Sequence, residues 1–186
     1  MQHSEKSIIE ILNKKYLKKV KFRVSNIFIF KDDWESDFFL IQRESKYCYE
    51  FEIKISRADF FNDFKKKDKH SILEKGTYSV TSKKYNRKLK IYETNVEDKP
   101  WNFRPNKFYY CVPELLIKPE EVPDYAGLIY VTDNDIYTVK EAKFLHKEKL
   151  DFDKKLCTKF YYWLNCLEVV KKLNKKIEKL EKNVRK

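Results

Sequence analysis

The sequence predicts an α/β fold with a long helix appended at its C-terminal end. Three observations carry this reading. Helical apolar periodicity opens the chain and returns after a run of strand-like segments. Those segments are rich in β-branched and aromatic residues, and residues 47–55 alternate cleanly at a period of two. From about Leu156 to the end the chain holds neither Gly nor Pro. A chain of 186 residues is most simply one domain, residues 1–150, followed by an appendage, residues 151–186.

In order, residues 4–19 predict an amphipathic helix with Ile8, Ile9, Ile11, Leu12, Tyr16 and Leu17 on one stripe, capped by Ser4 or Ser7. Residues 20–30 predict a strand, and Asp32, Asp33 and Glu35 a loop. Residues 37–42 and 47–55 predict two further strands. In the second, Tyr49, Phe51, Ile53 and Ile55 face one side, and Glu50, Glu52 and Lys54 the other. Ser56 then caps a helix whose buried stripe is Phe60, Phe61 and Phe64, with Asp59 placed to return the capping bond and Gly76 as its stop. Residues 77–81 and 88–92 predict short strands around a basic turn, with loop at 97–105. The apolar run 107–112 suits a buried central strand. Strands at 127–131 and 136–139 follow, and helix resumes from Lys140. Val170, Leu173, Ile177, Leu180 and Val184 step by three and four, a heptad seam.

Composition excludes several function classes. With two glycines, Gly76 and Gly127, neither a dinucleotide-binding nor a P-loop phosphate cradle can be written. The start of the chain has no apolar signal region, and no run reaches the roughly 18 apolar residues of a membrane span, so a cytoplasmic protein is expected. Cys48, Cys111, Cys157 and Cys166 form no close pairs and suit free thiols better than disulfides or zinc. Lys and Arg number 41 against 29 acids, for a net charge of +12. An excess of that size suits a polyanionic partner, although Lys-rich composition also arises from AT-rich coding sequence. Half of the excess lies in residues 171–186, which carry +6.

Glu52-Ile53-Lys54 is the centre of interest. Acidic-x-Lys occurs six times in the chain, but only here does it lie within an apolar, alternating strand, where charge is costly. The period of two sets Glu52 and Lys54 side by side, and Asp37 begins the neighbouring strand. Two carboxylates and a lysine on adjacent strands suit metal-dependent phosphodiester cleavage. The acids hold Mg²⁺ or Mn²⁺, and the ammonium orients water or stabilises developing charge.

Asp37, a 14-residue interval, then Glu52-x-Lys54 on a strand followed by a helix resembles the PD-(D/E)XK nuclease superfamily. The segments YEFEIKISRADFFNDFKKKDKH, PNKFYYCVP and YAGLIYV, in that order, are similar to the MmcB-like family of DNA repair nucleases, which also occurs in phages. The similarity spans about residues 4–146. It implies a restriction-endonuclease-like α/β sandwich with a mixed, four-stranded central sheet between helices. It also implies metal ligation by Asp37, Glu52 and the Ile53 carbonyl, with Lys54 catalytic and Glu10 the best-placed first-helix carboxylate. Ser36 stands where the motif's proline would be, and Asp33 or Glu35 could replace Asp37.

The function implied is a metal-dependent nuclease, endo- or exonucleolytic, serving DNA repair, recombination or phage replication. Alternatives are a catalytically silent nucleic-acid-binding module and a phage protein that binds a host protein. Candidate nucleic-acid contacts are Lys66, Lys69 and His70 on the helix after the motif, and Lys83, Lys84, Arg87, Lys88 and Lys90 on the basic turn, where Tyr85 and Tyr92 could stack on bases. The C-terminal helix could grip nucleic acid, a second protomer or another protein.

Overall fold

A computed structural model describes residues 3–86 and 91–184. The chain divides into two compact units, Met1–Leu150 and Asp151–Lys186. The first is an α/β unit. Helix α1 (Glu5–Tyr16) precedes strands β1 (Val20–Lys31), β2 (Trp34–Gln42) and β3 (Cys48–Ile53). Helices α2 (Arg57–Asp63) and α3 (Lys67–Lys75) follow, then β4 (Thr77–Asn86) and β5 (Ile91–Pro100). Strands β6 (Lys107–Pro113), β7 (Ala126–Val131) and β8 (Ile136–Lys140) complete the unit. The second unit is one helix, α4 (Asp153–Val184).

The main sheet has six strands in the order β1-β2-β3-β6-β7-β8, two more than the resemblance implies. β3 pairs in parallel with β6, and β6 with β7; the outer pairs are antiparallel. β4 and β5 form a separate two-stranded ribbon. Helices cover both faces. On one, Ile8 and Leu12 of α1 join Phe38, Leu40, Phe51, Ile53, Tyr109, Cys111, Ile129 and Val131 in a buried cluster. On the other, Phe60 of α2 meets Tyr110 edge-on with ring centroids 4.9 Å apart.

Local chemistry explains the boundaries. The Ser4 hydroxyl accepts from the Ser7 N–H and the Ser7 hydroxyl from the Ser4 N–H, so both predicted caps act in one reciprocal box. Ser56 caps α2 by accepting from the Asp59 N–H at 3.2 Å, while the Asp59 carboxylate lies 3.7 Å from Lys54. The expected single helix to Gly76 breaks at residues 64–66 into α2 and α3. Gly76 ends α3 at φ +71°, the left-handed conformation that glycine enters without penalty. Gly127 has a different reason: a Cβ there would lie 2.5 Å from the Tyr109 ring.

Other expectations shift. β2 begins at Trp34, so Glu35 is strand and the β1–β2 turn is only Asp32 and Asp33. The ribbon strands run ten residues each and absorb residues 97–100. Residues 141–152 are not helical.

Candidate active site

Strand β3 is buried on both faces. Its apolar side chains, Phe51 and Ile53, enter the cluster beneath α1. Its polar ones, Glu50 and Glu52, are buried beneath α2 and α3, and Lys54 lies just beyond its end, 6% exposed. The β2–β3 register pairs Phe38 with Phe51, which sets Asp37 beside the end of β3. There the Asp37 Oδ2 accepts the Ile53 N–H at 2.7 Å. On the other side, the Lys54 N–H donates to the Cys111 carbonyl at 3.0 Å, so the Glu52-Ile53-Lys54 backbone is held between β2 and β6.

The three motif side chains converge on a cleft of about 710 Å³. Its walls also include Lys31, Asp33 and Glu35 from the β1–β2 hairpin, Glu5 from α1, and Lys66 and Lys69 from the α2–α3 junction. Lys54 Nζ donates to Glu52 Oε1 at 2.8 Å and lies 3.5 Å from Asp63 Oδ1. Lys69, 5% exposed, donates to Glu52 Oε2 at 2.5 Å. Lys66 approaches Asp63 Oδ1 at 2.9 Å and Glu52 Oε1 at 3.5 Å. Both oxygens of Glu52 therefore face ammonium groups.

Asp63 and Glu50 form a second layer. Tyr110 donates to Asp63 Oδ2 at 2.9 Å, and His70 Nε2 lies 3.4 Å from the same oxygen. The other His70 ring nitrogen meets the Tyr125 hydroxyl at 2.5 Å. The Trp34 indole donates to Glu50 Oε1 at 2.6 Å and the Ser36 hydroxyl at 3.0 Å, while Glu50 Oε2 is buried without a hydrogen-bond partner among the described residues.

These surroundings push the acids apart. Burial, reinforced by the charge of Glu52, raises Asp37 to about 7. Burial raises Glu50 to about 8, against the pull of Lys69, so at neutral pH it is held largely protonated. Burial would raise Asp63 as well, but the bond to His70 and the charges of Lys69, Lys54 and Lys66 hold it well below the carboxylate range. Burial opposes charge on Lys54 and Lys69, yet their acidic neighbours, Glu52 first, raise both.

The donor set suits the cation the resemblance implies. Asp37, Glu52 and the Ile53 carbonyl offer oxygen ligands only, and Mg²⁺ commonly takes one or two carboxylates and keeps several waters. Burial first, and the charge of Glu52 second, raise the pKa of Asp37, and a divalent cation would oppose both by favouring its carboxylate form. No group of three or more His, Cys, Asp and Glu that could hold a metal ion occurs among the described residues.

Glu10 does not line the cleft; Glu5 does. Five residues turn a helix through about 140° beyond a full turn, and packing of Ile8 and Leu12 aims Glu10 at solvent. His70 is not a free contact for nucleic acid, because Asp63 and Tyr125 engage both ring nitrogens. Lys69 likewise is an interior partner of Glu52 rather than a surface lysine. Lys66 remains half-exposed at the rim. Lys83 and Lys84 are exposed on β4, and Arg87, Lys88 and Lys90 lie outside the described residues. Glu50 was missed as part of the site, although its place on the Glu52 face was legible from the period of two. Asp63, on the helix after the motif and in one of the six acidic-x-Lys patterns, is brought within 3.5 Å of Lys54.

No family model matches the chain, and no curated protein matches it. Among solved structures, SPO1766, a protein of unknown function from Silicibacter pomeroyi, is similar over 78% of each chain, at 18% identity and a TM-score of 0.47. No helix among the described residues is long and apolar enough to cross a membrane.

Proposed function

We propose that this chain is a Mg²⁺- or Mn²⁺-dependent deoxyribonuclease with a restriction-endonuclease-like fold of the PD-(D/E)XK type. The observation that supports it most is the convergence of Asp37, Glu52 and Lys54 at one end of β3, on the wall of a cleft. Seven acids nearly balance six lysines along that cleft. Such a lining has little net attraction for a phosphodiester until a cation joins it. A divalent ion there would neutralise phosphate charge and acidify a coordinated water. Asp37, Glu52 and the Ile53 carbonyl would hold it. Lys54, fixed by Asp63 behind it, would orient the attacking water or meet charge developing on phosphate. Asp63 and Tyr110 do not need to touch substrate for this; they hold the ammonium in place.

The test is a panel of labelled single-stranded, duplex and branched DNA, with RNA for comparison, incubated with Mg²⁺, Mn²⁺ or EDTA. Metal-dependent cleavage should fall by about 10²–10³-fold or more in Glu52→Gln and in Lys54→Ala. Undiminished cleavage in both variants would remove the assigned site. A second reading, a nucleic-acid-binding module without turnover, draws on the closure of both Glu52 oxygens by Lys54 and Lys69. It requires salt-sensitive DNA binding with no cleavage of any substrate.

A further inference from the structure

The C-terminal unit carries an apolar seam along α4. Val170 and Ile177 stand at heptad position a, and Leu173 and Leu180 at position d. One heptad earlier, Trp163 takes position a and Cys166 position d; Lys159 at the preceding d position ends the series. All of these lie within α4. Trp163, Val170, Leu173, Ile177 and Leu180 are each 50–64% exposed, and Cys166 is exposed. The lysines of this stretch sit elsewhere: Lys171, Lys172 and Lys175 fall at positions b, c and f, away from the seam, and only Lys176 flanks it at position g.

We infer that this seam pairs with the same seam of a second copy, as a parallel two-stranded coiled coil related by a two-fold axis. The residue types select that occupant. β-Branched residues at a with Leu at d favour two parallel strands, whereas other distributions favour trimers or tetramers. A polyanion would need the lysines on the seam, and they are turned from it. The size is sufficient: each apolar knob removes on the order of 100 Å² from water when buried. Five from each helix bring the interface to roughly 1,000 Å², the lower bound for a specific contact. An isologous parallel pairing also sets Cys166 against its own symmetry mate. Cys157, at position b, faces outward.

Charge supplies a signature. α4 is basic on its outer face, so two copies repel across the pair, and salt screens that repulsion. Dimerisation therefore tightens as salt rises, the reverse of nucleic-acid binding. The pairing does not depend on whether the cleft cleaves DNA.

The experiment is sedimentation equilibrium of the full chain at micromolar concentration in 0.1 and 0.5 M NaCl, joined to cross-linking with a short bis-maleimide. The expected mass is twice the 22.8 kDa of one chain, with the larger dimer fraction at high salt. Cross-linking should survive Cys157→Ser and vanish in Cys166→Ser. The double variant Leu173→Glu/Ile177→Glu should sediment as a monomer and keep the near-ultraviolet spectrum of the α/β unit. A monomeric wild type at 100 µM overturns the inference. So do a dimer that weakens with salt, one that survives the double variant, and cross-linking that runs through Cys157.

Discussion

The two faces of β3 are both buried and are built by opposite rules. Beneath α1, Phe51 packs against Tyr16, Phe38 and Tyr109, with ring centroids 5.5–5.7 Å apart. Beneath α2 and α3, Glu50 and Glu52 are as deeply buried as Phe51, and Lys69 spans them at 3.9 and 2.5 Å. The first face gains stability by leaving water. The second must recover a desolvation cost through ion pairs, and such pairs often add nothing net over apolar side chains of the same size. One strand thus separates a face that holds the fold from a face whose composition stability alone does not explain.

The largest expected effect lies on the apolar face. Phe51→Ala removes a ring from the centre of an aromatic group and should cost about 4 kcal/mol in urea unfolding. A loss below about 1 kcal/mol would mean that the cluster is not the core of the unit.

The next effect tests the polar face. Lys69→Met strands Glu52 and Glu50 without their shared cation and should cost about 3 kcal/mol. Adding Glu52→Met should restore part of that loss, because the Lys69–Glu52 pair is then replaced rather than broken and Lys54, which loses Glu52, keeps Asp63 at 3.5 Å. If the double variant is less stable than Lys69→Met alone, the network contributes net stability, and the contrast between the faces collapses. These measurements belong in EDTA, so that bound cations do not enter.

Much of this contrast was legible in the sequence. A charged pair at a period of two inside an apolar strand marks Glu52 and Lys54, and the spacing to Asp37 marks its neighbour strand. The remainder depends on tertiary placement. Lys69 joins the site only because the helix after β3 breaks at residues 64–66 and folds its second half over Glu52, beside Asp63 at the end of the first half. Local propensity does not announce that break. Glu5 rather than Glu10 meets the cleft because packing against the sheet sets the rotation of α1, and periodicity alone leaves that angle free. The β4–β5 ribbon runs longer than expected because its exposed strands are specified by backbone pairing rather than by apolar alternation. The six-stranded sheet follows from β1 and β8, edge strands whose pairing the motif does not govern.

The smallest effect is a slope rather than a loss, and it separates Glu50 from its neighbours. Burial raises Glu50 from 4.5 in the unfolded chain to about 8 in the folded one. Between those values the folded state keeps a proton that the unfolded state releases. The contribution of Glu50 to stability is therefore greatest below the unfolded pKa and falls as pH rises towards 8, by up to about 1.4 kcal/mol per pH unit for one proton. Glu50→Gln keeps an acceptor for the Trp34 and Ser36 donors and cannot ionise, so its stability should be flatter from pH 5 to 8. Asp37, raised to about 7, contributes a slope of the same sign that ends earlier. The variant should therefore keep some decline up to pH 7 and lose the part between 7 and 8. Urea midpoints at pH 5, 6, 7 and 8 decide it. Equal slopes in the wild type and Glu50→Gln would show that Glu50 is ionised in the folded state, with Lys69 supplying the charge that burial withholds.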